Sequence, residues 1–229
     1  MRSTEDGCPY QIFKSRFNGI IQFTNTMIAR EVVFDEIFDS QVLFRSIFDG
    51  MSRPGKINTL KSVDISPPEG ITRAASLVAF SLLNDDVSVM LAEPNEEVAD
   101  YLRGNTAVRE ASVADADFII GTPENTLTLI EPSKEGDPLY PEQSASFVLM
   151  LEDFAEEPVQ DGLCLLLSGP GIKDTKKIFV SGFSDKWIQE RAEKNCEFPL
   201  GVDVILTTEK NGECFVTCLP RTTKIEVVL

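Results

Sequence analysis

The side chains available for chemistry in this sequence are limited by a complete absence of histidine. Without an imidazole there can be no Ser–His or Cys–His nucleophile, no histidine metal ligand and no histidine proton shuttle. Catalysis would have to use carboxylates, lysine, tyrosine, cysteine, backbone amides or a cofactor. The five cysteines contain no C-x-x-C pair, so the sequence predicts no metal site and no catalytic residue of its own.

Two arginines lie on or just after the first predicted helix, which Asp39 or Ser40 caps and Pro54–Gly55 ends. Arg45 is within the helix, and Arg53 follows its last turn. A helix C-terminus with a basic residue that complements the dipole is the structural interpretation. The functional interpretation is a corner whose arginines and amides bind a phosphate-like group.

A second candidate is the glycine-rich turn Leu167–Ile172, which follows an apolar strand. In open α/β sheets ligands bind beyond the carboxyl ends of the strands. Gly169 and Gly171 would let the backbone approach an anion closely, although a plain turn fits the same residues. The turn matches neither the dinucleotide fingerprint nor a Walker A loop.

A third candidate is the turn after Leu219, where Arg221 and Thr222 could donate hydrogen bonds to an anion. The structural alternative is an ion pair between Arg221 and Asp203, because the hairpin at Asn211–Gly212 should bring the two turns together. Together, the predicted ligand-binding residues are Arg45, Arg53, Gly169, Gly171, Arg221 and Thr222.

Most of the net charge of −16 comes from two segments. Residues 85–100 contain six acids and residues 135–161 contain eight, with no base in either. We expect both segments to face solvent or a basic partner, away from Arg53 and Arg221. A basic stripe with interleaved aromatic residues is lacking, so nucleic-acid binding is not expected.

The elements that position these residues alternate between strands and helices in the first half of the chain and pair locally at the end. This pattern predicts an α/β domain over residues 39–229, with a mixed, mainly parallel sheet. Residues 1–38 are predicted to form an N-terminal arm that packs on the domain or on a second subunit. The predicted strands cover 57–65, 87–91, 107–108, 117–121, 145–151, 163–167, 202–207, 213–219 and 223–228.

Composition points to a cytoplasmic protein with reduced thiols. The odd number of cysteines argues against a disulfide framework, and the first residues lack the apolar stretch of a signal peptide. Cys214 and Cys218 should lie on one face of a strand, about 13 Å apart, too far to bridge. Residues 74–83, the longest helical apolar stretch, are too short to cross a membrane.

Several motifs together resemble the PhnH subunit family of bacterial carbon–phosphorus lyase. Asp39–Arg45 and Met51–Gly55 are similar to the family's D-x-Q-x-x-F-R and M-S-x-P-G segments. Phe198–Asp203 resembles its F-P-L-G-[IV]-D. Leu167–Ile172 and Leu219–Val227 are similar to its L-[ST]-G-x-G-I and P-R-T-T-x-[VI]-E-V segments. The resemblance runs from about Asp39 to the C-terminus with order and spacing kept.

This resemblance implies a three-layer α/β/α sandwich like the large domain of PLP-dependent transferases, without bound PLP or another cofactor. It also implies a homodimer that joins the other core subunits of the lyase. That complex transfers the ribose triphosphate of ATP onto an alkylphosphonate and releases adenine. The implied role is that of an accessory subunit, with ATP or an alkylphosphonate as candidate ligands.

Two alternatives stay open at this stage. One is a stand-alone protein that binds a small anion such as a phosphonate or a nucleotide. The other is a divergent PLP-fold enzyme, for which Lys173, Lys176 and Lys177 are the clustered candidate lysines.

Overall fold

Five α-helices occur within residues 30–228, the part of the chain that the computed structural model describes. Three begin at the predicted caps: the side chains of Thr72, Asn95 and Ser184 accept hydrogen bonds from backbone N–H groups of the first turn. The helices are α1 (Phe38–Ser52), α2 (Arg73–Leu82), α3 (Glu96–Thr106), α4 (Pro123–Thr126) and α5 (Asp185–Lys194).

The prediction that Asp39 or Ser40 caps α1 is wrong. The capping carboxylate belongs to Asp35, whose Oδ1 accepts hydrogen bonds from the N–H groups of Ile37 and Phe38 at 2.9 and 2.8 Å. Asp39 lies inside the first turn, where it forms an ion pair with Lys61. The helix begins before its apolar stripe because the Asp35 side chain, which is not part of the stripe, binds the free amides of the first turn.

The central sheet has seven strands in the order β1-β10-β9-β5-β4-β2-β3. It is mixed and mainly parallel, as predicted, with β10 running against its two neighbours. Two predicted strands differ in extent, since residues 57–65 contribute only two residues and the third strand lies just after 107–108. The strands are β1 (Asn58–Thr59), β2 (Ser88–Leu91), β3 (Arg109–Glu110), β4 (Phe118–Gly121), β5 (Ser146–Met150), β9 (Asp203–Lys210) and β10 (Glu213–Leu219).

A second, four-stranded antiparallel sheet was not anticipated from the sequence. Its order is β11-β7-β8-β6, and it takes two strands that we expected in the central sheet. The turn at Pro220–Thr223 carries the chain out of the central sheet, so β11 pairs with β7 instead of β10. The strands are β6 (Phe154–Ala155), β7 (Leu163–Ser168), β8 (Lys176–Val180) and β11 (Lys224–Val228).

Both faces of the central sheet are covered, which explains its continuous apolar strands. In β5, Val148 packs with the α1–α3 helices, whereas Phe147 and Leu149 point to the opposite core. That second core is closed by β7, β8 and Trp187 of α5. The α/β class is therefore confirmed, but one outer layer combines a sheet with helices and so differs from the predicted α/β/α sandwich.

The last part of the predicted N-terminal arm lies against the helical layer. The Phe34 ring packs edge-on against Phe80 of α2 with the ring centroids 5.0 Å apart. The Glu31 carboxylate accepts hydrogen bonds from the Tyr101 hydroxyl and the Ser66 amide. Residues 1–29 of the arm lie outside the described residues. None of the described helices combines the length and the hydrophobicity of a membrane-spanning segment.

Candidate functional site

Three of the predicted turns meet at one corner of the molecule, which we call the motif junction: residues 52–55, 169–171 and 220–223. The Gly55 N–H donates to the Cys218 carbonyl at 3.2 Å, which holds the end of α1 against β10. Thr223 N–H donates to the Pro220 carbonyl at 2.8 Å and closes the third turn. The sequence alone indicated each turn, but not that they touch.

Glycine is required in the middle turn by both backbone conformation and space. Gly169 and Gly171 have φ values of +128° and +83°, a region that other residues rarely adopt. A Cβ on Gly169 would lie 2.8 Å from the Thr222 carbonyl oxygen, and one on Gly171 would overlap the Ser52 carbonyl oxygen. These glycines therefore allow close packing of the three turns against one another.

Arg221, in the third turn of the motif junction, is largely buried and is surrounded by acceptors of the protein itself. Its Nη2 lies 2.5 Å from Oδ2 of Asp203, and its backbone N–H donates to Oδ1 of the same carboxylate at 2.7 Å. Nη1 donates to the Pro141 carbonyl at 2.7 Å, and Nη2 also contacts the Ser144 hydroxyl. The ion pair predicted as the structural alternative is therefore present.

The remaining arginine candidates are exposed. Arg53 has a side chain that is 59% exposed, forms an ion pair with Asp49, and lies between the two residues that contact Gly171. Arg45 lies on the solvent face of α1, about 10 Å before Ser52 along the helix axis. The structure thus brings Arg53, Gly169, Gly171, Arg221 and Thr222 to one corner and leaves Arg45 outside it.

Arg191 is a component of the motif junction that the sequence analysis did not identify. Its buried guanidinium donates to the carbonyl oxygens of Leu219, Pro220 and Thr223 at 3.1, 2.7 and 3.2 Å. Burial lowers its pKa to about 10, against the opposing effect of the Asp203 carboxylate, so the group stays charged at neutral pH. The spacing of residues in α5 could have revealed it. Arg191 comes four residues after Trp187 and three after Ile188, which places it on the same buried face of the helix.

The strand-end argument that favoured the Gly169–Gly171 turn does not apply there, because β7 belongs to the antiparallel sheet. In the parallel sheet the chain passes from β2 to β3 on one side, and from β4 to β5 on the other. Such a change of direction between neighbouring strands leaves a crevice where ligands bind in open α/β sheets. A cavity of about 190 Å³ lies at that point, lined by Glu93 and Asn95 after β2 and by Gly121 and Thr122 at the end of β4. Its lining contains no basic side chain, so it does not suit a phosphate group.

The expectation that both acidic segments lie away from Arg221 is wrong for residues 135–161. Pro141 and Ser144 of that segment contact Arg221 directly. A guanidinium also donates to neutral carbonyl and hydroxyl oxygens, so the charge of the segment did not reveal this contact. Its carboxylates pair elsewhere, as Glu135 with Lys194 at 3.2 Å and Glu156 with Lys176 at 2.5 Å.

The clustered lysines lie at or just before the start of β8 in the outer sheet. Lys176 is bound to Glu156, and Lys173 and Lys177 face solvent. A lysine that links a cofactor needs a pocket beside it, and none of these three lysines lines the cavity between β2 and β4 described above. The four described cysteines are all free, and Cys214 and Cys218 are buried, as predicted.

Comparison with known proteins shows the family of this chain. The family model described as bacterial phosphonate metabolism protein (PhnH) matches residues 33–226. A putative C-P lyase subunit protein HtxG from Stutzerimonas stutzeri is 33% identical over 82% of this chain and 86% of its own. The alpha-D-ribose 1-methylphosphonate 5-triphosphate synthase subunit PhnH of Rhizobium meliloti (strain 1021) is 30% identical over 84% of this chain and 92% of its own. The chain therefore belongs to the PhnH family of bacterial phosphonate metabolism proteins.

Proposed function

We propose that this chain is an accessory subunit of a cytoplasmic carbon–phosphorus lyase core complex. In this role it supports transfer of the ATP ribose triphosphate onto an alkylphosphonate, with release of adenine, while other subunits supply the reacting groups. The observation that carries the proposal is its similarity, over most of both chains, to a relative named as a subunit of a ribose methylphosphonate triphosphate synthase.

The contacts in the motif junction support an accessory role. Arg191 and Arg221, the two most buried basic groups there, are engaged by backbone carbonyls and by Asp203. The chain also has no histidine for acid–base chemistry. We propose that these turns shape a surface for assembly. The buried arginines then hold the backbone in place and do not bind a substrate.

The test is reconstitution of the complex with and without this chain. The other core subunits from the same source are purified, this chain is added, and adenine release from ATP plus methylphosphonate is measured. We expect the chain to co-elute with those subunits and to be required for full adenine release. A chain that never enters the complex would contradict the proposal.

We also propose that the isolated chain is a homodimer. The solvent face of α1 supports this, because Phe44 and Phe48 stack there with ring centroids 6.0 Å apart and stay exposed. Phe38, the first residue of the same helix, is exposed as well. Exposed aromatic clusters with a nearby arginine are typical of interfaces. Light scattering should give a dimer mass for the native chain and a monomer mass for Phe48→Ser.

Small-anion binding at the motif junction is the second candidate function. Exposed Arg53 favours it, since its two chain neighbours, Ser52 and Pro54, lie against Gly171. Calorimetry with ATP and with methylphosphonate tests this idea on the native chain and on Arg53→Ala, with Arg45→Ala as the exposed control. Equal heats for the native chain and Arg53→Ala would count against a site at this corner.

A further inference from the structure

Two loops beside Arg221 present three exposed large apolar side chains. Leu139, Tyr140 and Phe198 are 82%, 52% and 77% exposed. We call these three residues the loop patch. Large apolar side chains that are exposed together and rimmed by polar residues are typical of a contact surface.

The two loops of the loop patch are held side by side by hydrogen bonds. Nη1 of Arg221 donates to the carbonyl of Pro141, at 2.7 Å, and to that of Pro199, at 3.4 Å. The Gly201 N–H donates to the Glu135 carbonyl at 3.0 Å, which joins the same loops a second time. The patch is therefore one surface built from two distant parts of the chain.

The tip that carries Leu139 and Tyr140 is fixed from within. Oδ1 of Asp137 accepts the N–H groups of both residues, at 2.7 and 3.0 Å. A bridge between Glu135 and Ser144 closes the base of the loop. Apolar groups held in place before binding lose little conformational freedom on contact, which favours affinity.

Charge around the loop patch distinguishes between a second copy and a different protein. The two segments that carry the patch, 135–143 and 193–200, contain five acids and one base, and that base, Lys194, pairs with Glu135. Asp137, Glu142 and Glu197 are exposed at the rim. Two copies meeting at this patch would bring like charges together, which is unfavourable.

We propose that the loop patch is the surface by which this chain docks onto another subunit of the lyase complex, one with an apolar pocket rimmed by lysine or arginine. This inference rests on the proposed function, because it names the surface that the accessory role would use. In this proposal Arg221 and Asp203 position the two loops without contacting the partner.

The experiment uses the full chain and the purified remaining core subunits from the same source. The variant Tyr140→Ser/Phe198→Ser removes two exposed side chains, and Val33→Ser, at a site 57% exposed on the helical side, is the matched control. We expect at least about a tenfold loss of affinity for the double variant and none for the control. The melting temperatures should match, since none of these side chains is in the core.

Reversal of rim charge provides an independent second variant. Glu142→Lys/Glu197→Lys should also weaken assembly, and the loss should shrink as salt is raised from low to high concentration. Assembly of both double variants with native affinity would overturn the loop patch and leave the accessory function standing. Failure of the native chain to assemble would overturn both. The isolated double variants are also compared with the isolated native chain by light scattering. A lower mass for the variants would show that the patch binds a second copy, which also overturns the inference.

Discussion

Asp203 accepts hydrogen bonds from both the backbone and the guanidinium of Arg221, which joins the start of β9 to the turn after β10. Removing the carboxylate leaves a largely buried arginine without its counter-charge. We expect Asp203→Ala to lower the free energy of unfolding by about 3 kcal/mol, measured by urea denaturation. Glu36→Ala, which removes the exposed ion pair with Arg30, should cost no more than about 1 kcal/mol. Similar losses for the two variants would contradict a structural role for the Asp203–Arg221 pair.

Arg191 should be essential for the conformation of the third turn of the motif junction. Arg191→Met keeps much of the bulk of the side chain but removes three charge-assisted hydrogen bonds to backbone carbonyl groups, so we expect a loss of about 2–4 kcal/mol. Amide exchange at Thr223 should also become faster, because its N–H bond to Pro220 closes that turn. The exposed Lys186→Met on the same helix is the control and should change stability by no more than about 0.5 kcal/mol. Unaltered exchange at Thr223 would argue against this role.

Gly171 and Gly212 separate the two costs of adding a side chain at positive φ. Their φ values are nearly equal, +83° and +81°, but a Cβ on Gly212 meets nothing within 4 Å. Gly212→Ala should therefore cost only the backbone strain, about 1 kcal/mol. Gly171→Ala should cost more than about 2 kcal/mol, because the methyl group also overlaps the Ser52 carbonyl oxygen. Equal losses in chemical denaturation would mean that the turns can move apart freely.

The Ser184 hydroxyl caps α5 by accepting the Trp187 N–H at 3.3 Å. Ser184→Ala should lower the free energy of unfolding by about 1 kcal/mol. Ser184→Gly should cost only a few tenths of a kcal/mol, since glycine leaves the amide open to water. The order of the two variants in thermal and urea unfolding decides whether the cap acts as described.

Asp117 makes stability dependent on pH in the acid range. Burial alone would raise its pKa, but hydrogen bonds from Lys134 at 2.5 Å and from Ser88 lower the pKa below the ordinary value of 3.8. A carboxyl group whose pKa is lower in the folded state stabilises above the unfolded pKa, and this is lost as the pH falls. The stability difference between the native chain and Asp117→Asn should thus be largest near neutral pH and shrink below about pH 4. A difference that stays constant from pH 7 to pH 3 would show that the charge is not responsible.

Local signals in the sequence predicted most elements well. Thr72, Asn95 and Ser184 cap helices because a short polar side chain can reach the free amides of the first turn. The Asn211–Gly212 hairpin was equally clear, since its backbone conformation suits those residues. These features depend only on neighbouring residues, which is why the sequence contains them.

Features that depend on distant partners were missed. The 163–167 segment is apolar enough for either sheet, and only its pairing with β8 and β11 decides which one it joins. Arg191 looked like an ordinary helix residue because its three carbonyl partners come about 30 residues later in the chain. Arg221 could be assigned to an ion pair or to an anion site until the Pro141 loop was placed beside it.

The packing of α1 on β10 has a consequence for how the chain is made. Cys218 of β10 lies against Gly50 and its thiol contacts the Ile47 carbonyl, and β1 finds its pairing partner in β10 as well. A nascent chain leaving the ribosome would therefore carry this side of α1 uncovered until residues 213–219 have been translated. Contacts between such distant residues form late and slowly. During that interval, chaperone binding or aggregation would compete with folding at α1 more than at any helix whose partners are local.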